Sequence, residues 1–314
     1  MKATRSFVVG DSHHETAQAN ERTGRMPERT RTILTGYAFV LPAAVIILGL
    51  VGYPIGQAMY LSLTNARVGG AGHVIGFANY AALLRNSVFV QALANSVLFT
   101  VVSVAIKTVL GLAAALLLNQ KFLAHRWIRG AMLLPWVIPS TFGVLAWLWI
   151  FNYNLGTLNW LLQNLHIISS PIAWLSNPIL ARAAVIFVNV WRGLPFFAIT
   201  LLAGLVAIPQ ELYEAAEVDG ATGWAKLLYV TVPLIVPILS ITILFSIVMT
   251  ISDFNIVYVL TRGGPLNATQ VFATLAYQSA FASGNIARGA AISLFIFPAL
   301  LISLLFLLRL VRRS

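Results

Sequence analysis

Residues 211–233 read ELYEAAEVDGATGWAKLLYVTVP, a polar and acidic stretch set between two long apolar runs. Its three glutamates recur at every third position, which places their carboxylates on one face of a helix. Gly220 then permits a sharp backbone turn or the close approach of another chain. Apolar residues resume before Pro233, a residue type tolerated in the first turn of a helix. The stretch predicts a short helix outside the membrane, suited either to docking or to a solvated linker.

The apolar runs on both sides belong to a larger set. Of the 314 residues, 59% are hydrophobic and 9% are charged, whereas about 25% of an average soluble domain is charged. A membrane core of about 30 Å takes about 20 apolar residues per helix, so the chain leaves no room for a large soluble catalytic domain. We predict an all-α membrane protein with six transmembrane helices. The predicted spans are about 33–59, 93–118, 131–151, 183–206, 232–260 and 289–308.

The basic residues predict the orientation of these spans. The net charge is +11, and most of the 20 Lys and Arg residues fall in inner segments if the N-terminus is cytoplasmic, as the positive-inside rule requires. Six spans then place both termini in the cytoplasm. We predict that residues 1–31 form a disordered basic tail ahead of an uncleaved anchor and that residues 32–314 form the transmembrane domain. Within that domain, residues 207–231 form a cytoplasmic loop, and short ordered loops face outward near 60–92, 152–182 and 261–288.

Carboxylates are scarce at membrane depth. No Asp or Glu occurs from residue 29 to 210, and Asp253 stands alone in the fifth predicted span. Proton-coupled pumps and membrane hydrolases usually need membrane-depth carboxylates, histidines or metal ligands. The chain also has no Cys and no phosphate-cradling G-x-x-x-x-G-K-[ST] loop. We therefore expect no catalytic site, no bound metal or cofactor and no nucleic-acid partner, and we place any ATP-driven motor in another subunit.

The stretch that opened this section resembles the EAA loop of binding-protein-dependent ABC importer permeases. The family pattern is E-A-A, three residues, G, nine residues, I, any residue, L-P. Here residues 214–216 read E-A-A, Gly220 follows after three residues, and residues 230–233 read V-T-V-P, with valines in place of Ile and Leu. The resemblance implies a type I ABC importer permease fold, with a cytoplasmic coupling helix between spans four and five.

Further motifs extend the resemblance over most of the chain from about residue 35, and they are similar to the sugar-type branch, the maltose and glycerol-3-phosphate permease group. These motifs are Tyr53-Pro54, GFANY at 76–80, Asn95-Ser96, Arg129 with Pro135 and Pro139, Trp191-Arg192 with Pro195, and FNIVYVLTRGGP at 254–265. They imply an ATP-driven importer of sugars or oligosaccharides in the bacterial inner membrane. The alternatives are the same architecture importing glycerol phosphate, polyols or uronate oligomers, and, more remotely, a stand-alone carrier.

The resemblance also implies partners and a coupling site. The expected partners are a second homologous permease, two ATPase subunits that hold ATP and Mg²⁺, a solute-binding protein outside, and membrane lipid. Glu214 would meet basic groups of an ATPase subunit, and the two alanines after it would allow close approach. The coupling residues are Glu214, Ala215, Ala216, Asp219, Gly220, Ala221 and Pro233.

Polar side chains inside the spans form a candidate solute pathway. Lys107 and Arg192 lie near mid-depth, where a cation costs about 2.5 to 3.5 kcal/mol. They either line an aqueous path and bind the solute, or they hold the bundle by binding carbonyls or Asp253. Lys107 also makes an anionic solute worth testing. The candidate pathway residues are Lys107, Asn189, Trp191, Arg192, Ser252, Asp253 and Asn255.

Overall fold

The computed structural model describes residues 28–70, 72–120 and 125–311. Most of the predicted tail lies outside these ranges. The regular secondary structure of the described residues consists of helices and two isolated β-bridges, Thr64–Val74 and Arg67–Gly70. The chain divides into two compact units, the residues up to Gln57 and those from Ala58 onward.

The first unit begins with helix α1, Glu28–Ile47, which therefore includes the last four residues of the predicted tail. That boundary was set by apolarity alone, but a glutamate is favoured at a helix N-terminus by the helix dipole. A π-helical segment, Leu48–Gly52, leads into α2, Tyr53–Ser62. The candidate span Thr35–Ser62 has none of its apolar window buried. A helix that is apolar on all sides fits contact with lipid.

The second unit holds the remaining helices. They are α3 Ala78–Leu84, α4 Ser87–Asn119, α5 His125–Val137, α6 Ser140–Ile150, α7 Thr157–Asn164, α8 Pro178–Val206, α9 Gln210–Val218, α10 Gly223–Lys226, α11 Val232–Ile251, α12 Asn255–Leu260, α13 Phe272–Tyr277, α14 Ile286–Leu294 and α15 Ile296–Val311. Further π-helical segments cover Leu227–Thr231 and Gln278–Ala282. The predicted outer loops therefore contain the short helices α3, α7 and α13.

Five helices of the described residues are long and apolar enough to cross a membrane, or six if a bent pair of helices counts as one span. The bent pair, Trp127–Val137 and Ser140–Ile150, turns by 93° and replaces the predicted continuous span 131–151. Pro139 lies at the bend. Proline lacks the backbone N–H of a continuing helix and disfavours helical geometry in the residue before it.

The predicted fifth span, 232–260, is also wrong as a single helix. Its helix α11 ends at Ile251, and α12 begins anew at Asn255. The Asp253 carboxylate accepts a hydrogen bond from the backbone N–H of Ile256 at 3.1 Å, as residues that precede a helix do. At its N-terminal end, the candidate span that contains α11 begins at Gly223, so the predicted loop 207–231 ends earlier than expected.

Two apolar clusters hold the helices around the site. Phe197 and Leu201 of α8 pack with residues of α4 and α11 in one cluster. Val185 and Val188, nearer the start of α8, pack with residues of α6 and α12 in the other. Residues 189–193 of α8 lie between these clusters, and this is where the polar side chains of α8 gather.

Candidate functional site

A cavity of about 440 Å³ opens among α4, α5, α8, α11 and the break that follows α11. Its volume falls in the range of small-molecule sites, roughly 300–1,000 Å³. Six of the seven predicted pathway residues line it: Lys107, Asn189, Arg192, Ser252, Asp253 and Asn255. The other lining residues are Trp136, Gly193, Phe196, Phe245, Ser246, Met249, Thr250 and Phe254.

The Lys107 ammonium joins three helices. Lys107 is 3% exposed, and its Nζ donates hydrogen bonds to Asn189 Oδ1 at 3.0 Å and to Thr250 Oγ1 at 2.9 Å. These bonds tie α4 to α8 and α11, and they satisfy a charge whose burial would otherwise be costly. The lysine stem crosses α8 at Gly193, where an added Cβ would lie 2.7 Å from Lys107 Cδ. The glycine therefore permits this crossing.

Asp253 faces both cations. Its Oδ2 lies 3.7 Å from Arg192 Nη1 and accepts a hydrogen bond from Asn189 Nδ2 at 3.4 Å. The Asp253 side chain is 8% exposed, whereas that of Arg192 is 35% exposed. Arg192 thus pairs with the carboxylate, as one of the two interpretations of the sequence expected, and still presents part of its guanidinium to the cavity.

Two more polar groups complete the lining. Asn255 Nδ2 donates to Ser140 Oγ at 3.1 Å, which ties α12 to α6 beside the bend. The Ser246 hydroxyl is buried and has no hydrogen-bond partner among the described residues. An unpartnered buried hydroxyl is uncommon in proteins, and this one belongs to a residue of the cavity wall.

Trp191 is the predicted pathway residue that does not line the cavity. It packs instead against Gly143 and meets Trp147 edge-on at 5.5 Å between ring centroids. Successive residues of an α-helix point about 100° apart, so Trp191 leaves the face that carries Arg192. The adjacent positions in sequence therefore have different surroundings.

Sequence reasoning missed the aromatic walls of the cavity. Trp136 meets Phe196 edge-on at 5.4 Å, and Phe196 meets Phe245 at 4.8 Å. A signal was present on α8, because Phe196 lies seven positions after Asn189, on the same helical face. The cavity thus combines hydrogen-bonding groups with ring faces, an arrangement suited to a polar solute that also has apolar surface.

The loop that follows the candidate span Pro178–Val206 is the second candidate site. Helix α9 ends in a Schellman motif: the Ala221 N–H donates to Ala216 O at 2.9 Å and the Gly220 N–H to Glu217 O at 3.0 Å. Gly220 has φ of 80°, a left-handed conformation that favours glycine. No described atom lies within 4 Å of the position where its Cβ would be. The turn therefore needs glycine for backbone geometry and not for space.

Helix α9 is tethered on one side and open on the other. Lys226 Nζ lies 2.7 Å from Glu217 Oε1, and the Tyr213 hydroxyl lies 3.1 Å from the buried Thr231 hydroxyl. Val218 is exposed, at 88%, in the last turn of α9. Of the predicted coupling residues, five are exposed and two are half-buried. The exposed ones are Glu214, Ala215, Asp219, Gly220 and Pro233, and the half-buried ones are Ala216 and Ala221.

The chain is similar to several known proteins. Residues 107–314 match the family model described as binding-protein-dependent transport system inner membrane component. The trehalose/maltose transport system permease protein MalF of Thermococcus litoralis is 34% identical over 90% of this chain and 94% of its own length. The trehalose transport system permease protein SugA of Mycobacterium tuberculosis is 36% identical over 88% of this chain and 87% of its own length.

A solved structure supports the fold. It is a bacterial alginate ABC transporter in complex with an alginate pentasaccharide-bound periplasmic protein. One of its chains matches with a TM-score of 0.78 at 21% identity, covering 91% of this chain and 96% of that one. The apolar helices of the present chain agree with this membrane architecture. The chain belongs to the family of binding-protein-dependent transport system inner membrane components.

Proposed function

We propose that the chain is the permease subunit of an ATP-driven, binding-protein-dependent importer of sugars or oligosaccharides, and that it forms half of the translocation pathway. Its relative MalF is named for trehalose and maltose transport and its relative SugA for trehalose transport. The observation that carries the proposal is the cavity, in which hydrogen-bonding side chains stand between aromatic walls at a break in an apolar helix. Irregular backbone is tolerated at membrane depth where it lines such a cavity.

The cavity chemistry matches a sugar. Hydroxyl groups both donate and accept, and the lining offers donors on Arg192 and Asn255 and an acceptor on Asp253. Ring faces of Phe196 and Phe254 complement the apolar C–H faces of a pyranose. Two of the three ammonium donors of Lys107 are bonded to protein groups, so we assign Lys107 to holding the helices together.

An acidic solute is the second candidate, because two cations of the described lining, Lys107 and Arg192, face one carboxylate, Asp253. A uronate oligomer or a glycerol phosphate would complement that excess positive charge. Competition by neutral and uronate oligosaccharides for uptake separates the two solute classes. Polyols remain within the neutral class, and a stand-alone carrier would transport solute without any ATPase.

Helix α9 is the proposed coupling helix. Its open face carries Glu214 to meet basic groups, and Ala215 and Ala216 allow a groove wall to approach closely. The Schellman turn at Gly220, flanked by Asp219 and Ala221, sets the angle between α9 and the segment that leads through Pro233 into α11. We assign ATP and Mg²⁺ to two separate ATPase subunits, and a non-catalytic role without bound cofactor or metal to this chain. A second homologous permease and an outer solute-binding protein complete the assembly, in contact with lipid.

The proposed topology counts the bent pair α5–α6 as one broken span. Six spans then place both termini and the basic tail in the cytoplasm of a bacterial cell, in agreement with the distribution of Lys and Arg. Helix α9 follows the fourth span and lies on the same side. Residues 261–285, between the last two spans, face outward.

Uptake by the reconstituted complex tests the function. Proteoliposomes that contain the chain with its partner subunits and binding protein should accumulate labelled trehalose or maltose only with ATP. Asn255→Ala removes a cavity amide and should lower the uptake rate several-fold. Asn164→Ala is the matched control, because Asn164 is exposed and bonds only within its own helix, to Trp160 O. Solute uptake that persists without the ATPase would overturn the proposal.

A further inference from the structure

Four aromatic rings lead away from the cavity. Phe254 lines the cavity and stacks on Tyr258 at 4.7 Å between ring centroids. Tyr277 lies 5.1 Å from Phe254 and 5.2 Å from Tyr258. Phe281 follows at 5.2 Å from Tyr277. We call these four residues the aromatic track.

The aromatic track is a surface feature and not part of the apolar core. On α12, Ile256 and Val257 are fully buried, while Tyr258 is half-buried. On α13, Phe272 is buried, but Tyr277 is 38% exposed and Phe281, just beyond that helix, is 74% exposed. Each element thus packs its other apolar residues inward and leaves the rings of the track toward solvent. A contiguous group of exposed rings is a candidate interaction site.

Polar groups hold the outer end of the track in place. Gln278 follows Tyr277 in sequence, accepts a hydrogen bond from Gln270 Nε2 at 2.8 Å and donates one to Arg262 O at 3.1 Å. These bonds fix the start of the π-helical segment that carries Phe281. A hydrogen bond with Tyr258 raises the pKa of the Tyr277 hydroxyl and links the two phenols of the track. The track therefore presents positioned rings with phenolic oxygens beside them.

We propose that the aromatic track is a sugar-binding subsite at the outer mouth of the cavity, across which a pyranose passes from Phe281 to Phe254. A pyranose has apolar C–H faces and a polar hydroxyl edge, so a ring face and a phenolic hydroxyl bind it together. Because neighbouring rings of the track are about 5 Å apart, a sugar contacts the next ring before it leaves the last. This inference rests on the proposed function and its topology, since residues 261–285 must face outward.

Phe281→Leu tests the subsite, because it removes the ring and keeps an apolar side chain. Phe77→Leu is the matched control: Phe77 is 75% exposed and lies outside the track. The complete complex in proteoliposomes is supplied with labelled trehalose or maltose, and two rates are measured: sugar uptake and the ATPase activity stimulated by the binding protein. Phe281→Leu should lower uptake per ATP hydrolysed several-fold, Phe281→Tyr should retain it, and Phe77→Leu should match the wild type.

Two results would overturn the subsite. Equal uptake by Phe281→Leu and Phe77→Leu would show that the ring is not used. A parallel fall of stimulated ATPase activity and uptake would assign Phe281 to docking of the binding protein instead. A wild-type complex that imports no sugar with ATP contradicts the proposed function itself, and this outcome is distinct from both.

Discussion

The left-handed turn at Gly220 gives the most direct test of the coupling helix. Left-handed backbone geometry destabilises a residue that has a Cβ by roughly 1–2 kcal/mol, and no described atom within 4 Å adds a steric cost at this position. If docking to the ATPase subunit requires the Schellman geometry, Gly220→Ala should weaken docking by about 5- to 30-fold, the range that corresponds to 1–2 kcal/mol. Gly220→Asn should fall between the wild type and Gly220→Ala, since asparagine tolerates this geometry better.

Gly223 supplies the matched control. It lies three residues further on at the start of α10, also with no described atom within 4 Å of a Cβ, but its φ is outside the left-handed range. Gly223→Ala should therefore leave docking unchanged. The assay titrates the purified permease complex in detergent with the ATPase subunit and measures the dissociation constant of each variant. A Gly220→Ala constant within twofold of the Gly223→Ala constant would refute the argument that this turn sets the docked geometry.

Three further predictions concern the cavity and the tether of α9. Asp253→Asn leaves Arg192 and Lys107 without a facing carboxylate and should destabilise the protein by about 1–3 kcal/mol. This cost is lower than for a fully buried ion pair because Arg192 is 35% exposed. Thermal unfolding in detergent measures the change, and an unchanged Tm would contradict the prediction. Lys107→Met should lower Tm by several degrees, because each lost buried hydrogen bond costs roughly 1–3 kcal/mol, and it should leave the KM for solute nearly unchanged. A changed KM at constant Tm would instead make Lys107 a solute contact. Tyr213→Phe should lower solute uptake per ATP while the ATPase subunit still binds, and the exposed Tyr229→Phe should behave like the wild type in the same liposome assay.

Strong apolar patterns made most of the fold predictable. The span expected at 183–206 appears as Pro178–Val206, and the one expected at 93–118 as Ser87–Asn119. In both, a long apolar run is bounded by polar residues, so hydropathy alone indicates the helix. The acidic helix in the loop was equally clear, because its glutamates recur on one face between two such runs.

The two breaks could not be predicted in the same way. Proline is tolerated inside membrane helices when neighbouring groups satisfy the freed backbone, so Pro139 by itself does not indicate a bend of 93°. The break after Ile251 involves few residues, so a hydropathy average over about 20 positions does not reveal it.

The cavity was predictable to the extent that polar residues in apolar helices must face the protein interior. That rule found Lys107, Asn189 and Asp253, and it offered the pairing of Arg192 with Asp253, but it did not find the partners of Lys107. Thr250, which accepts a hydrogen bond from Lys107, is 143 positions away in sequence, and a lone threonine in an apolar helix is unremarkable. Trp191 was predicted because a sugar path favours aromatic groups, but its position on the helix turns it away from the face that carries Arg192.

The helix break at residues 252–255 explains how the cavity and the aromatic track arise together. Four consecutive residues, Ser252 to Asn255, line the cavity. A continuous helix would rotate them about 100° apart and turn at least half away. The break instead lets Asp253 bond the Ile256 N–H with one oxygen and face Asn189 with the other, while Phe254 begins the row of rings. A few polar residues in an apolar span thus create the polar site and redirect the chain that would guide a sugar to it.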